Sequence, residues 1–173
     1  MQEELFYSQI DNMFSTILSE VKQNISGNYD FNKDIKIGEQ GEDFIKNYLI
    51  KNFGFKFIKK KHTQDYDLLM EYNNREVTYE VKTDIYPEDT GNLVVEFECR
   101  KKPSGINVTK ADYFVTYFPK FNEIWNIKSD TLKQLIKEHR FKKTSGSGDD
   151  KSETKLYLIP KEKYKEHFKV YKV

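Results

Sequence analysis

The run Asp67-Leu68-Leu69-Met70-Glu71-Tyr72, the break Asn73-Asn74-Arg75 and the run Val77-Thr78-Tyr79-Glu80-Val81-Lys82 constrain this chain more than any other stretch. Both runs are strand-like, and an Asn pair tolerates the positive φ angles of a tight turn, so the segment reads as a β-hairpin. With a two-residue turn at Asn73-Asn74, Tyr72 faces Arg75 and Asp67 faces Glu80; a three-residue turn would break that register. Direct partners share one face of the sheet with side chains about 5 Å apart. Lys82, two residues beyond Glu80, shares that face too. An Asp, a Glu and a Lys would then project together among Leu68, Leu69, Val77, Tyr79 and Val81. Two acids in such a setting repel, and each resists ionising alone. A divalent cation resolves the conflict, and Mg²⁺ favours one or two carboxylates plus water and phosphate oxygens. A neighbouring ammonium can orient a water or stabilise charge developing on a phosphate. The alternative is an exposed cross-strand salt-bridge patch, ordinary on a solvent face.

The rest of the chain supplies a frame for the hairpin. Leu5, Phe6, Ile10, Met13, Phe14, Ile17, Leu18, Val21 and Ile25 recur at helical spacing, so residues 1–28 read as an amphipathic helix ending near Gly27. Its apolar stripe packs on its own domain or on another subunit. Residues 29–173 form the main domain, with a mobile loop at 144–154, where Ser, Gly, Asp and Lys crowd together. Within it, Ile37, Phe44, Ile45, Tyr48 and Leu49 mark a second amphipathic helix that Gly54 ends. Strands are expected at Phe55–Ile58, Leu93–Cys99, Tyr113–Phe118, Ile124–Ile127 and Leu156–Ile159. A helix carrying Leu132, Leu135 and Ile136 is expected to be N-capped by Ser129 or Asp130, and the tail from Lys161 to be helical, then frayed. The fold class is α/β (α+β), a central mixed sheet flanked by helices around a single core.

Composition removes several classes of function. With 13 Phe and 12 Tyr among 173 residues, a packed core is within reach despite 33% charged residues. The single cysteine, Cys99, excludes an internal disulfide and any Cys-rich zinc site. Neither a long apolar run nor a signal-like start is present, so a cytoplasmic or nucleus-like compartment is expected, with no membrane association. No GxxxxGK motif supports a nucleotide cofactor. The net charge of +1 does not announce nucleic acid, although a balanced total can hide a basic face. Lys101, Lys102, Ser104 and Lys110 surround Gly105 in a small basic loop whose backbone N–H groups can hold a phosphate; an ordinary surface loop fits equally. Glu96 and Glu98 either complete a second metal site or form a wet face, and Asp65 is an alternative to Asp67.

Asp67, twelve intervening residues and then Glu80-Val81-Lys82 resemble the motif of the PD-(D/E)XK, or restriction-endonuclease-like, nuclease superfamily, with Tyr66 where the usual Pro stands. The order of helix, strand and hairpin over roughly residues 37–127 is similar to Holliday-junction resolvases and phage-type members. The resemblance implies a restriction-endonuclease-like core and a Mg²⁺-dependent deoxyribonuclease, with Mn²⁺ substituting. It further implies metal ligands from Asp67, Glu80, the Val81 carbonyl and a helix acid. Gly38-Glu39-Gln40-Gly41-Glu42 offers two such acids; Glu42 borders the buried helix face and is preferred over Glu39. The expected catalytic set is therefore Asp67, Glu80, Lys82 and Glu42. DNA is the expected partner, as branched, recombination or replication intermediates. A homodimer or higher homo-oligomer through the N-terminal helix is expected, since cutting two strands takes two sites. A site-specific endonuclease of restriction or homing type, and a binding module that no longer cuts, are the alternatives.

Overall fold

The computed structural model describes residues 31–61, 65–85, 89–147 and 153–173. The expected helix in residues 1–28, and with it the oligomerisation element, lies outside them. Helix α1 spans Phe31–Phe53. It ends where Gly54 turns to φ 71°. The Gly54 N–H donates to the Ile50 carbonyl at 3.1 Å and the Phe55 N–H to the Leu49 carbonyl at 3.4 Å. The first is the single bond that closes a helix on a left-handed glycine.

Six strands then build a mixed sheet: β1 (Lys56–Lys60), β2 (Leu68–Tyr72), β3 (Arg75–Thr83), β6 (Tyr113–Phe118), β7 (Glu123–Lys128) and β10 (Lys169–Lys172), in that spatial order. Every pairing is antiparallel except β3 with β6. The chain makes that parallel crossing through a second, antiparallel sheet of β5 (Lys102–Pro103), β4 (Asn92–Cys99), β9 (Glu153–Pro160) and β8 (Lys142–Ser147), in that order. Asn73 and Asn74 have φ of 50° and 60°, as a two-residue primed turn requires. Tyr72 pairs with Arg75 and Leu68 with Tyr79, so the two-residue register holds.

The central strands of the six-stranded sheet are buried on both faces. Leu68, Met70, Tyr79, Val81, Val115, Tyr117 and Ile124 pack with Phe44, Ile45 and Leu49 of α1. Phe114, Phe118, Trp125 and Ile127 point the other way, onto Leu93, Val95 and Phe97 of the second sheet and onto Leu132 and Leu135 of helix α2 (Ser129–Glu138). The near-continuous apolar run Tyr113–Phe118 suits such a two-faced central strand. Two cores therefore replace the expected single one. The Lys161 ammonium closes the second: only 5% of its side chain is exposed, 2.6 Å from Asp89 Oδ1, and it lies 4.8 Å above the Phe118 ring and 5.7 Å from that of Trp125.

Three local expectations are corrected. Residues 142–147 and 153–160 run as strands β8 and β9, so much of the expected loop at 144–154 is sheet; residues 148–152 lie outside the described ones. Main-chain pairing decides there, and it is insensitive to the polar side chains. Neither Ser129 nor Asp130 caps α2. Extended Lys128 occupies the cap position without a side-chain bond, because the Ser129 N–H donates to the Asp112 carbonyl at 2.9 Å and so continues the sheet into the helix. The tail is helical only at α3 (Lys161–Tyr164) and the 3₁₀ turn Lys165–His167, then becomes edge strand β10 on β7.

Candidate active site

Strand β3 outruns its partner β2, and the acids gather in the gap that this leaves. Asp67 stands just before β2. Its N–H donates to the Tyr79 carbonyl at 2.9 Å, and its Oδ2 accepts from the Val81 N–H at 2.7 Å. The side chain thus takes the place of the missing strand residue. N–H and C=O of one strand residue leave by the same edge, so the Val81 carbonyl turns toward the same gap. Glu80 is 6% exposed. Its Oε1 lies 2.7 Å from Lys82 Nζ, and its Oε2 accepts from Thr109 Oγ1 at 3.1 Å. Lys82 sits at the rim, with 40% of its side chain exposed.

Electrostatics follows from this crowding. Burial, then the Glu80 charge, push the Asp67 carboxyl up to about 6; Lys82 and the Val81 N–H pull it back, and Glu42 adds repulsion. Burial lowers the Lys82 ammonium, but Glu80 and Asp67 outweigh it and the pKa is raised overall. Lys82 is therefore a fixed positive charge at neutral pH, not a proton acceptor. Glu96, on β4 of the second sheet, also raises Lys82, whereas Glu98 is held 2.6 Å from Lys155.

Glu42 arrives from α1 by a close approach. A Cβ on Gly41 would stand 1.8 Å from Thr83 Oγ1 and 3.0 Å from Thr83 Cβ, so only glycine lets the helix lie on the end of β3. Glu42 is 8% exposed, while Glu39 is exposed. Lys60 Nζ lies 3.1 Å from Glu42 Oε2 and 3.3 Å from Asp43 Oδ1. The Gly41→Ala clash costs about 1–3 kcal/mol against about 1 kcal/mol of helix preference gained. Gly38 has nothing within 4 Å of its added Cβ. Urea unfolding should show Gly41→Ala less stable than the parent, Gly38→Ala more stable, and Thr83→Ala partly rescuing Gly41→Ala. Equal shifts in the two glycine variants would remove the close-approach argument.

The structure thus brings Asp67, Glu80, Lys82, the Val81 backbone and Glu42 to one end of β3. The basic loop is less free than expected. Lys110 Nζ is 3.0 Å from Asp65 Oδ1, the Ser104 N–H donates to the Phe97 carbonyl at 3.1 Å, and Lys101 and Lys102 are exposed. Asp65 holds Lys61 and Lys110 rather than joining the acids. Sequence reasoning missed Lys60 and Thr109. Neither lies in a motif, and only chain crossing brings them near Glu42 and Glu80.

The donor set fits a hard cation: two carboxylates, one of them reluctant to ionise, and a carbonyl. Among the described residues no three Asp, Glu, His or Cys side chains already stand at metal-binding separation; Glu42 is held by Lys60 instead. Among the described residues no helix is long and apolar enough to cross a membrane.

No family model matches the chain, and no curated protein matches it. Among solved structures, a bacterial homing endonuclease, I-Ssp6803I, is similar at 17% identity and a TM-score of 0.48, over 71% of this chain and 76% of that one. Fold likeness does not carry function, so the chemistry rests on the site.

Proposed function

We propose that this chain is a divalent-metal-dependent endonuclease that hydrolyses DNA phosphodiester bonds. The observation that carries the reading is the Asp67–Glu80 pair beside the Val81 backbone, with Lys82 at its open edge. Asp67, Glu80 and the Val81 carbonyl are the proposed ligands of Mg²⁺ or Mn²⁺, with Glu42 joining if Lys60 releases it. Such an ion supplies an activated water and neutralises the scissile phosphate. The protein's own contribution is positional. Val81 N–H and Thr109 hold the two carboxylates in fixed rotamers. Lys82 stays protonated and offers its charge where the phosphate gains negative charge. Exposed Lys101 and Lys102, with Ser104 and Lys110, are proposed phosphate contacts outside the acid gap. Cutting two strands takes two sites, so a homodimer joined through residues 1–28 belongs to the proposal. Branched, recombination and replication intermediates are the proposed substrates, with a specific duplex site as the narrower variant.

The Lys60–Glu42 ion pair favours one second reading, a binding module that keeps the fold without cutting. Incubating stoichiometric protein with junction, duplex, flap and single-stranded DNA, and with RNA, in Mg²⁺ or in EDTA separates the two. The endonuclease reading expects metal-dependent products from at least one DNA substrate. Binding without products in any lane supports the module.

A further inference from the structure

We infer that Thr109 is a positioning residue for the proposed metal site: its hydroxyl sets the orientation of the Glu80 carboxylate and thereby the site's affinity for a divalent cation. The inference rests on the endonuclease reading of Asp67 and Glu80, and adds to it a residue that no motif includes.

Thr109 is 2% exposed, and its hydroxyl is a node. Oγ1 lies 3.1 Å from Glu80 Oε2 and 3.1 Å from the Asp65 carbonyl. It also accepts from the Ala111 N–H at 3.2 Å. A hydroxyl has one proton, so it cannot serve both oxygens. The Asp65 carbonyl already accepts the Lys110 N–H at 2.8 Å. A hydrogen bond to a charged acceptor is roughly twice as strong as one between neutral groups. The proton therefore belongs to Glu80.

The donor is also held rigidly. The Thr109 N–H donates to the Gly105 carbonyl at 3.0 Å, and the Thr109 carbonyl accepts from Lys133 Nζ of α2 at 2.9 Å. Main-chain and side-chain bonds on both sides leave the hydroxyl little freedom to move away from Glu80. Glu80 in turn has each oxygen directed by one group: Oε2 by neutral Thr109 and Oε1 by the Lys82 ammonium. A carboxylate oxygen bonded by a neutral donor keeps a lone pair and its charge for a cation. An oxygen paired with an ammonium is the poorer ligand. The hydroxyl thus determines which oxygen of Glu80 is presented. Removing partners that orient metal ligands typically weakens metal binding 10- to 100-fold.

The test is Mn²⁺ titration by calorimetry on the full chain, its Thr109→Val and its Thr109→Ser, with DNA cutting and metal-free thermal unfolding followed in parallel. Thr109→Val is expected to raise the Mn²⁺ Kd about 10- to 100-fold and Thr109→Ser to stay within about threefold of the parent. A purely structural role would lower the metal-free Tm in proportion to hydroxyl loss and leave the Kd of the folded variant unchanged; that result overturns the inference. Should Thr109→Val not fold, Thr109→Cys keeps the size with a weaker donor, and its Kd is expected between those of Thr109→Ser and a Glu80→Gln variant; a Kd equal to the parent's overturns the inference. If the parent neither binds Mn²⁺ nor cuts DNA, the endonuclease reading fails. If the parent does both and Thr109→Val matches it, only the role of Thr109 fails.

Discussion

Replacing Asp67 with Asn is expected to give a metal-free chain more stable than its parent at pH 7.5, and one unable to cut. The Asp67 pKa of about 6 lies above its ordinary value of 3.8. Between those values the folded chain keeps a proton that the unfolded chain releases. Stability therefore falls as pH rises through that window, and the deficit is complete above about pH 6. A displacement of that size corresponds to on the order of 1–3 kcal/mol. Asn has no charge to repel Glu80. Its carbonyl can still accept the Val81 N–H, and its amide becomes a donor beside an acid. Urea unfolding without metal at pH 7.5 should show the gain, and the same measurement at pH 4 should show it gone. Mn²⁺ should narrow the gap by stabilising only the parent. An Asn variant no more stable than the parent at pH 7.5 would mean that the acids do not repel as their placement requires.

The second large effect is expected at Lys82. Lys82→Ala should lower metal-supported cutting by about 10²- to 10³-fold, the usual cost of removing one group that stabilises charge in a transition state. Metal binding should be retained or tightened, because the ammonium beside Glu80 competes with a cation for the same carboxylate. Initial cleavage rates at saturating Mn²⁺, together with the Mn²⁺ Kd, separate the two contributions. Cutting within threefold of the parent would remove Lys82 from the mechanism. Loss of metal binding would instead make Lys82 a structural support of Glu80.

The stability gain at Asp67 and the rate loss at Lys82 have one origin. A site that gathers like charges costs the fold stability until a cation enters, and the groups that make it costly are those proposed to act. Close approach has the same character: Gly41 gives up helix preference so that Glu42 reaches the end of β3.

How much of this was legible in the sequence depends on range. The Asn73-Asn74 turn, the pairing that follows from it and the Gly54 helix end are decided by residues within a few positions of one another, and local φ preferences and side-chain alternation suffice for those. The positions of Asp67, Glu80 and Lys82 on one face followed from the same arithmetic. The Tyr113–Phe118 run was legible as a strand, although not as the one that pairs in parallel with β3.

Other features required the folded chain. Leu93–Cys99 was legible as a strand, but not its place in a second sheet, where it pairs with Glu153–Pro160, because main-chain hydrogen bonding is indifferent to which apolar run supplies the partner. The tail became β10 for the same reason. Lys60 beside Glu42, Thr109 beside Glu80, and Lys161 among Phe118, Phe121 and Trp125 carry no local pattern. The sequence by itself determined a hairpin that presents two acids and a lysine together. Only the tertiary structure decided that Lys60 holds Glu42, what holds each of the other carboxylates and which lysines are already paired, since contacts between residues far apart in the chain are selected by packing and charge rather than by neighbouring residues.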